Sequence, residues 1–151
     1  MSLSISAATE YPVTLRYSLP TDEPLIYSSW LRSYKQSPVN KKIKAEQYYS
    51  HQKRVIERLL ARSHVVCVVN SSDHEQVYSF GVVEIEPERM VLHWVQTKYT
   101  FKHMGFARMI IEQGLAQVPS LKLYCSHLPA NDFFTHLQNK YNAILDPAMK
   151  E

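Results

Sequence analysis

Near the start of the chain, apolar Val13, Leu15 and Tyr17 alternate with polar Thr14 and Arg16, which predicts a half-buried strand over Val13–Tyr17. The segment Pro20-Thr21-Asp22-Glu23-Pro24 then supplies a turn and a helix start. Thr21 or Asp22 can cap that helix, and Pro24 fits its first turn because the missing N–H has no helical partner there. The helix runs through Leu25, Ile26, Ser29, Trp30 and Ser33 and ends before Pro38. From about 44 to 62, Tyr48, Gln52, Val55, Ile56, Leu59 and Leu60 form one stripe at helical spacing, with Lys53, Arg54, Arg58 and Arg62 largely elsewhere. The β-branched run 65–69 predicts a buried strand. A polar turn at 70–74 joins it to a second strand, Val77–Ile85, as a hairpin, and Pro87 and Glu88 turn the chain into a third, Met90–Thr97. Beyond Lys98 the period becomes helical, with Ala107, Ile111, Leu115 and Val118 beside Phe106 and Ile110, until Pro119. A strand at 121–125 follows. A last helix starts at Pro129-Ala130-Asn131-Asp132 and carries Phe133, Phe134, Leu137 and Tyr141; Ala143, Ile144 and Leu145 add a final strand. The order β–α–α–β–β–β–α–β–α–β is that of an α/β fold.

Composition narrows the class. The chain has 151 residues, 45% apolar and 21% charged, with no repeat, low-complexity tract or Gly/Ser linker. One domain over 1–151 is the expectation, and a disordered tail, collagenous repeat or coiled-coil rod is excluded. No apolar stretch approaches the ~20 residues of a membrane span, and the amino terminus lacks the pattern of a signal peptide. Cys67 and Cys125 lie in apolar runs and read as reduced thiols of a cytoplasmic protein. Met1-Ser2-Leu3 and Glu151 are given no role. Net charge is only +3, but 35–62 holds eight basic residues against Glu46 and Glu57, so this region is distinctly basic.

Glycine is scarce, with three in the chain, and Gly105 falls between a predicted strand and a predicted helix. A turn into a helix start leaves several N–H groups pointing one way, and with the helix dipole they can hold a phosphate or pyrophosphate. Lys102 and His103 add positive charge, and small residues at 105 and 107 allow close approach to the main chain. The alternative is an ordinary strand–helix turn with a glycine for geometry.

The stretch 93–111, HWVQTKYTFKHMGFARMII, resembles motif A of the GNAT superfamily of N-acyltransferases: an apolar strand, then Arg or Gln, two residues, Gly, one residue, Gly or Ala, and a helix. Gly105 and Ala107 match, and Lys102 stands where Arg or Gln is usual. The resemblance implies a mixed, largely antiparallel central sheet flanked by helices, and acetyl-coenzyme A as acyl donor. Val95, Gln96 and Thr97 would then flank the thioester, and Lys102, His103, Met104, Gly105, Phe106 and Ala107 would hold the pyrophosphate. Residues 131–141 resemble motif B, in which many members use a tyrosine to protonate the departing thiolate. Here Gln138 occupies that position, with Tyr141 one turn away. An amide is no useful proton donor, so the task falls to Tyr141, Tyr124 or water, or the chemistry is lost.

Transfer to an amine needs a base. His93 and Glu84, both on the central strands, are the candidates, against the plainer readings of a packed histidine and a solvated glutamate. Cys125, Ser126 and His127 are adjacent and invite a nucleophile hypothesis, but neighbouring strand residues face opposite ways, so Cys125 reads as an inert buried thiol. The histidines show no metal-ligand spacing, and no metal is expected. The acceptor is expected to be a small-molecule, peptide or nucleotide amine. The basic 35–62 region, with Tyr34, Tyr48 and Tyr49 nearby, is either a solvated helix face or a surface for an acidic acceptor or nucleic acid. Two rivals stand beside acyl transfer: a binding module that has lost turnover, and a nucleobase-modifying enzyme on the same scaffold.

Overall fold

A computed structural model describes residues 2–4 and 12–151. Its sheet runs β1 (Ser2–Ser4), β2 (Val13–Tyr17), β3 (His64–Asn70), β4 (Val77–Ile85), β5 (Met90–Thr97), β6 (Leu123–Cys125) and β7 (Ile144–Leu145), paired in sequence order. Pairings from β1 to β5 are antiparallel, while β5–β6 and β6–β7 are parallel. The switch to parallel follows from connectivity, because a helix now separates each strand from the next. Two expectations are corrected here. Ser2 and Leu3 belong to an edge strand, and the Glu151 carbonyl accepts a hydrogen bond from Arg62. The sixth strand starts at Leu123, since Leu121 adopts φ 53° and lies exposed.

Helices α1 (Glu23–Tyr34) and α2 (Ala45–Arg62) cover one face, and α3 (Phe106–Leu115) and α4 (Phe133–Tyr141) the other. Trp30, Val55, Ile56 and Leu59 pack on Cys67, Phe80, Val82 and Trp94. Phe106, Ile110, Ile111, Phe134 and Leu137 pack on Leu15, Val68, Met90 and Leu92. Strands buried on both faces explain why β3 and β4 read as nearly continuous apolar runs. At Gly81, α3 comes so close that a Cβ would sit 2.7 Å from Ile110 Cγ2. The buried Arg16–Asp22 pair, 2.7 Å apart, fixes the start of α1 against β2, and Asp22 also accepts from the Leu19 amide.

Register in β5 positions everything that follows. Val82 faces Trp94 and Val83 faces Leu92, so His93 is an extra residue in a β-bulge. The bulge reverses the alternation: Leu92 enters the α3/α4 core and Trp94 the α1/α2 core. It also turns β5 away from β6, whose last partner is Leu92 opposite Cys125. A single longer link, Ser126 N–H to the Leu92 carbonyl at 3.4 Å, closes the pairing.

Candidate active site

Beyond Leu92 the two parallel strands part. From Trp94 to Thr97, β5 has β4 on one side and no strand on the other. Backbone groups of that free edge therefore face a crevice lined by Leu92, His93, Val95, Cys125, His127, Phe133 and Leu137 among others. It holds about 30 Å³, room for a water molecule or two.

At the end of β5 the chain makes a short 3₁₀ turn (Tyr99–Phe101), bends through 102–105 and enters α3. Phe101 and Phe106, on either side of the bend, both pack their rings on Tyr78, with centroids 4.0 and 6.0 Å away. This aromatic group pins both ends of the bend to the sheet. His103 and Gly105 take left-handed conformations, φ 66° and 83°. Such backbone geometry gathers successive N–H groups around an anion. Among the described residues, the amides of 103–108 donate to no backbone carbonyl, and α3 has no side-chain cap. Nothing lies within 4 Å of the place where a Gly105 Cβ would sit, so the bend is open.

The remaining candidate residues are distributed as follows. Val95 is half-buried against the α3/α4 core, and Met104 packs beside it in the same cluster. Gln96 accepts from Trp94 Nε1 and donates to Ser33 on α1, and Thr97 shares a hydrogen bond with Ser79. Lys102 and His103 are exposed and Ala107 half-buried, while Phe106 is buried. Tyr141 donates to Glu112 on α3 at 2.8 Å, and burial together with that carboxylate pushes its hydroxyl up to about 12. It is absent from the crevice lining, as is Gln138, which is exposed.

His93 and Glu84 meet: the imidazole Nε2 lies 2.9 Å from Glu84 Oε1, which also accepts from Arg62 Nε at 3.1 Å. Burial alone would raise the Glu84 carboxyl, but the bonds from His93 and Arg62 outweigh it and hold the group below its ordinary value. Burial keeps His93 below the usual imidazole range despite Glu84. The pair is thus a neutral imidazole donating to a carboxylate. Three further buried groups join it: Ser126, His127 and Gln52. By spacing Gln52 belongs to the apolar stripe of α2, and Ser126 and His127 stand out in the sequence only as neighbours of Cys125. The signal available was a polar residue at an otherwise apolar helical position. Both cysteines are buried with thiols pushed up to about 12 by burial, which leaves no thiolate to act as nucleophile.

Alongside the free edge, a wider cleft of about 350 Å³ lies between α1 and the ends of β4 and β5. Arg32, Lys98 and Lys102 line it with Ser29, Ser79 and Thr97, and its lining holds no carboxylate. Arg32 and Lys98 form no ion pair among the described residues, and Lys102 sits over the Tyr99 ring. The cations Lys53, Arg54 and Arg58 lie instead on the exposed face of α2. No group of three or more His, Cys, Asp or Glu among the described residues is arranged to hold a metal, and none of the described helices is long and apolar enough to cross a membrane.

Comparison with solved structures identifies this architecture. A protein of Pyrococcus furiosus assigned as an acetyl transferase superposes with a TM-score of 0.64 at 12% identity, over 85% of this chain and 92% of the other. An acetyltransferase of the GNAT family from Staphylococcus aureus Mu50 superposes with a TM-score of 0.54 at 11% identity, over 86% and 80%. The chain has the fold of the GNAT acetyltransferases. No family model and no curated protein matches the sequence.

Proposed function

We propose that the chain, as one unit over 1–151, transfers an acyl group, acetyl in the first instance, from a coenzyme A thioester to an amine. The observation that carries this reading is the open, pinned bend at 102–105, with its unpartnered amides and the unpaired edge of β5 leading to it. The residues fit such a donor: amides 103–108, with Lys102 and His103, suit a diphosphate, and 95–97 offer edge hydrogen bonds to an amide-bearing arm. When bound, the donor supplies an activated acyl carbon. At about 30 Å³ the crevice must widen to admit such an arm.

The chain's own residues handle the proton. Glu84, ionised and paired with His93, is the acceptor toward which the ammonium proton of the substrate moves. Tyr141 becomes a proton source only once its bond to Glu112 opens. The cationic cleft beside the free edge suits an acceptor amine that carries a carboxylate or phosphate. A cytoplasmic setting and small-molecule substrates go with this reading.

Calorimetry with acetyl-coenzyme A, followed by thiol release over a panel of anionic and neutral amines, tests it. Binding with turnover of anionic amines is expected. Failure to bind the donor rejects the reading. Binding without release for any amine favours a module that has lost turnover, for which the exposed Gln138 and the engaged Tyr141 speak.

A further inference from the structure

Four buried polar side chains, each at most 3% exposed, meet beneath α2: His93, Ser126, His127 and Gln52. With Glu84 they form an unbroken line. Glu84 Oε1 to His93 Nε2 is 2.9 Å, His93 Nδ1 to Ser126 Oγ 2.7 Å, Ser126 Oγ to His127 Nδ1 2.7 Å, and His127 Nε2 to Gln52 Nε2 2.9 Å.

The polarity of this line is fixed from its carboxylate end. A carboxylate only accepts, so His93 Nε2–H donates to Glu84. A neutral imidazole carries one N–H, so His93 Nδ1 accepts the Ser126 hydroxyl proton. Ser126 has then spent its proton, and its oxygen accepts from His127 Nδ1–H. His127 Nε2 is left as an acceptor, and the Gln52 amide nitrogen, which only donates, lies opposite it. Burial holds both imidazoles neutral, with Lys150 and His93 adding to the effect on His127.

The groups facing the line are Tyr34 from α1, Arg62 from α2, Glu86 following β4 and Lys150 near the carboxyl terminus. The two ends differ. His127 and His93 line the crevice, whereas the Glu84 side chain is 17% exposed beside Arg62.

We propose that His127, Ser126, His93 and Glu84 are a proton relay, with its entrance at His127 in the crevice and its exit at Glu84. The inference rests on the acyl-transfer reading and says how the amine loses its proton there. The Gln52 amide first leaves His127 Nε2, the one nitrogen of that ring not held by Ser126; as the ammonium proton takes its place, the Nδ1 proton of His127 passes to Ser126 Oγ. The hydroxyl proton of Ser126 passes to His93 Nδ1, and the Nε2 proton of His93 passes to Glu84, which releases it to water. One proton enters and one leaves; while Glu84 carries the proton, every hydrogen bond of the line survives with its polarity reversed, and no imidazolium is left in the buried space. Gln52 serves both states, because its amide can turn to offer Oε1 to the new His127 Nε2–H. Ser126 and Gln52 are positioning residues, acting through the two histidines.

Two measurements test the relay. Long-range ¹H–¹⁵N spectra of the unliganded protein should show His93 as the Nε2–H tautomer and His127 as the Nδ1–H tautomer, with both titrating below the ordinary imidazole value. The opposite tautomer at either histidine, or titration above the ordinary imidazole value, overturns it whatever the activity. In turnover assays at saturating donor, Ser126→Ala should lower kcat about 100-fold with the donor KM unchanged, a loss of the size typical for proton-transfer groups. Ser126→Thr should restore most of the rate, and imidazole buffer should rescue the alanine variant in part. Equal kcat for wild type and Ser126→Ala, or equal impairment of the two variants without rescue, overturns the relay. Absence of donor binding by wild type instead removes the acyl-transfer reading, and the tautomers then still decide the polarity of the line.

Discussion

The imidazole of His93 has no free nitrogen, because Glu84 takes Nε2 and Ser126 takes Nδ1. A lone histidine on a strand gives no hint of that, and its place in a bulge is what aims it between the two. Glu84→Gln removes the anionic end while keeping the shape of the side chain. Its kcat should fall about 100-fold with the donor KM within twofold, as expected for loss of a proton-accepting group. A change in KM alone would show that Glu84 serves binding. Gly105 illustrates the other kind of residue effect. The space around it is empty, so its need for glycine comes from φ 83°, a backbone conformation costing other residues about 1–2 kcal/mol.

Among elements, the bend before α3 depends on groups outside it. Tyr78 is on β4, yet its ring holds Phe101 and Phe106 and so fixes where the amides point. Phe101→Ala should loosen the bend without unfolding the sheet. An aromatic contact is worth about 0.5–1.5 kcal/mol beyond its buried area, so donor affinity by calorimetry should drop about 3- to 10-fold with an unchanged circular dichroism spectrum. The sequence made the strand and helix flanking this bend legible through a change of period from two to 3.6. It did not reveal the stack, because Tyr78 lies more than twenty positions away and sits beside a register shift that alters its face. The same applies to α2, where Gln52 matches the apolar stripe by spacing but supplies an amide to the buried line.

At the scale of the molecule, the two layers of helices are held to the sheet chiefly by apolar burial, with the buried Arg16–Asp22 ion pair at the α1 entry. Burial would raise the Asp22 carboxyl, but Arg16 and the Leu19 amide outweigh it and keep it below its ordinary value. A carboxyl with a depressed folded-state pKa contributes stability above its unfolded value, near 4, and that contribution is lost as pH falls through the folded value. Urea midpoints should therefore decline below about pH 4 in wild type. Asp22→Asn should be less stable at neutral pH and show a shallower acid decline; an equal decline in both would assign the acid sensitivity elsewhere. What the sequence determined alone was the order and kind of nearly all elements, and the strand–bend–helix segment around Gly105. Local periodicity and turn chemistry are written in consecutive residues. Tertiary structure decided the bulge at His93, the parting of β5 from β6, the commitment of Tyr141 to Glu112, and the line from Gln52 to Glu84. Each of these depends on register between strands or on side chains brought together from distant parts of the chain, which no local pattern encodes.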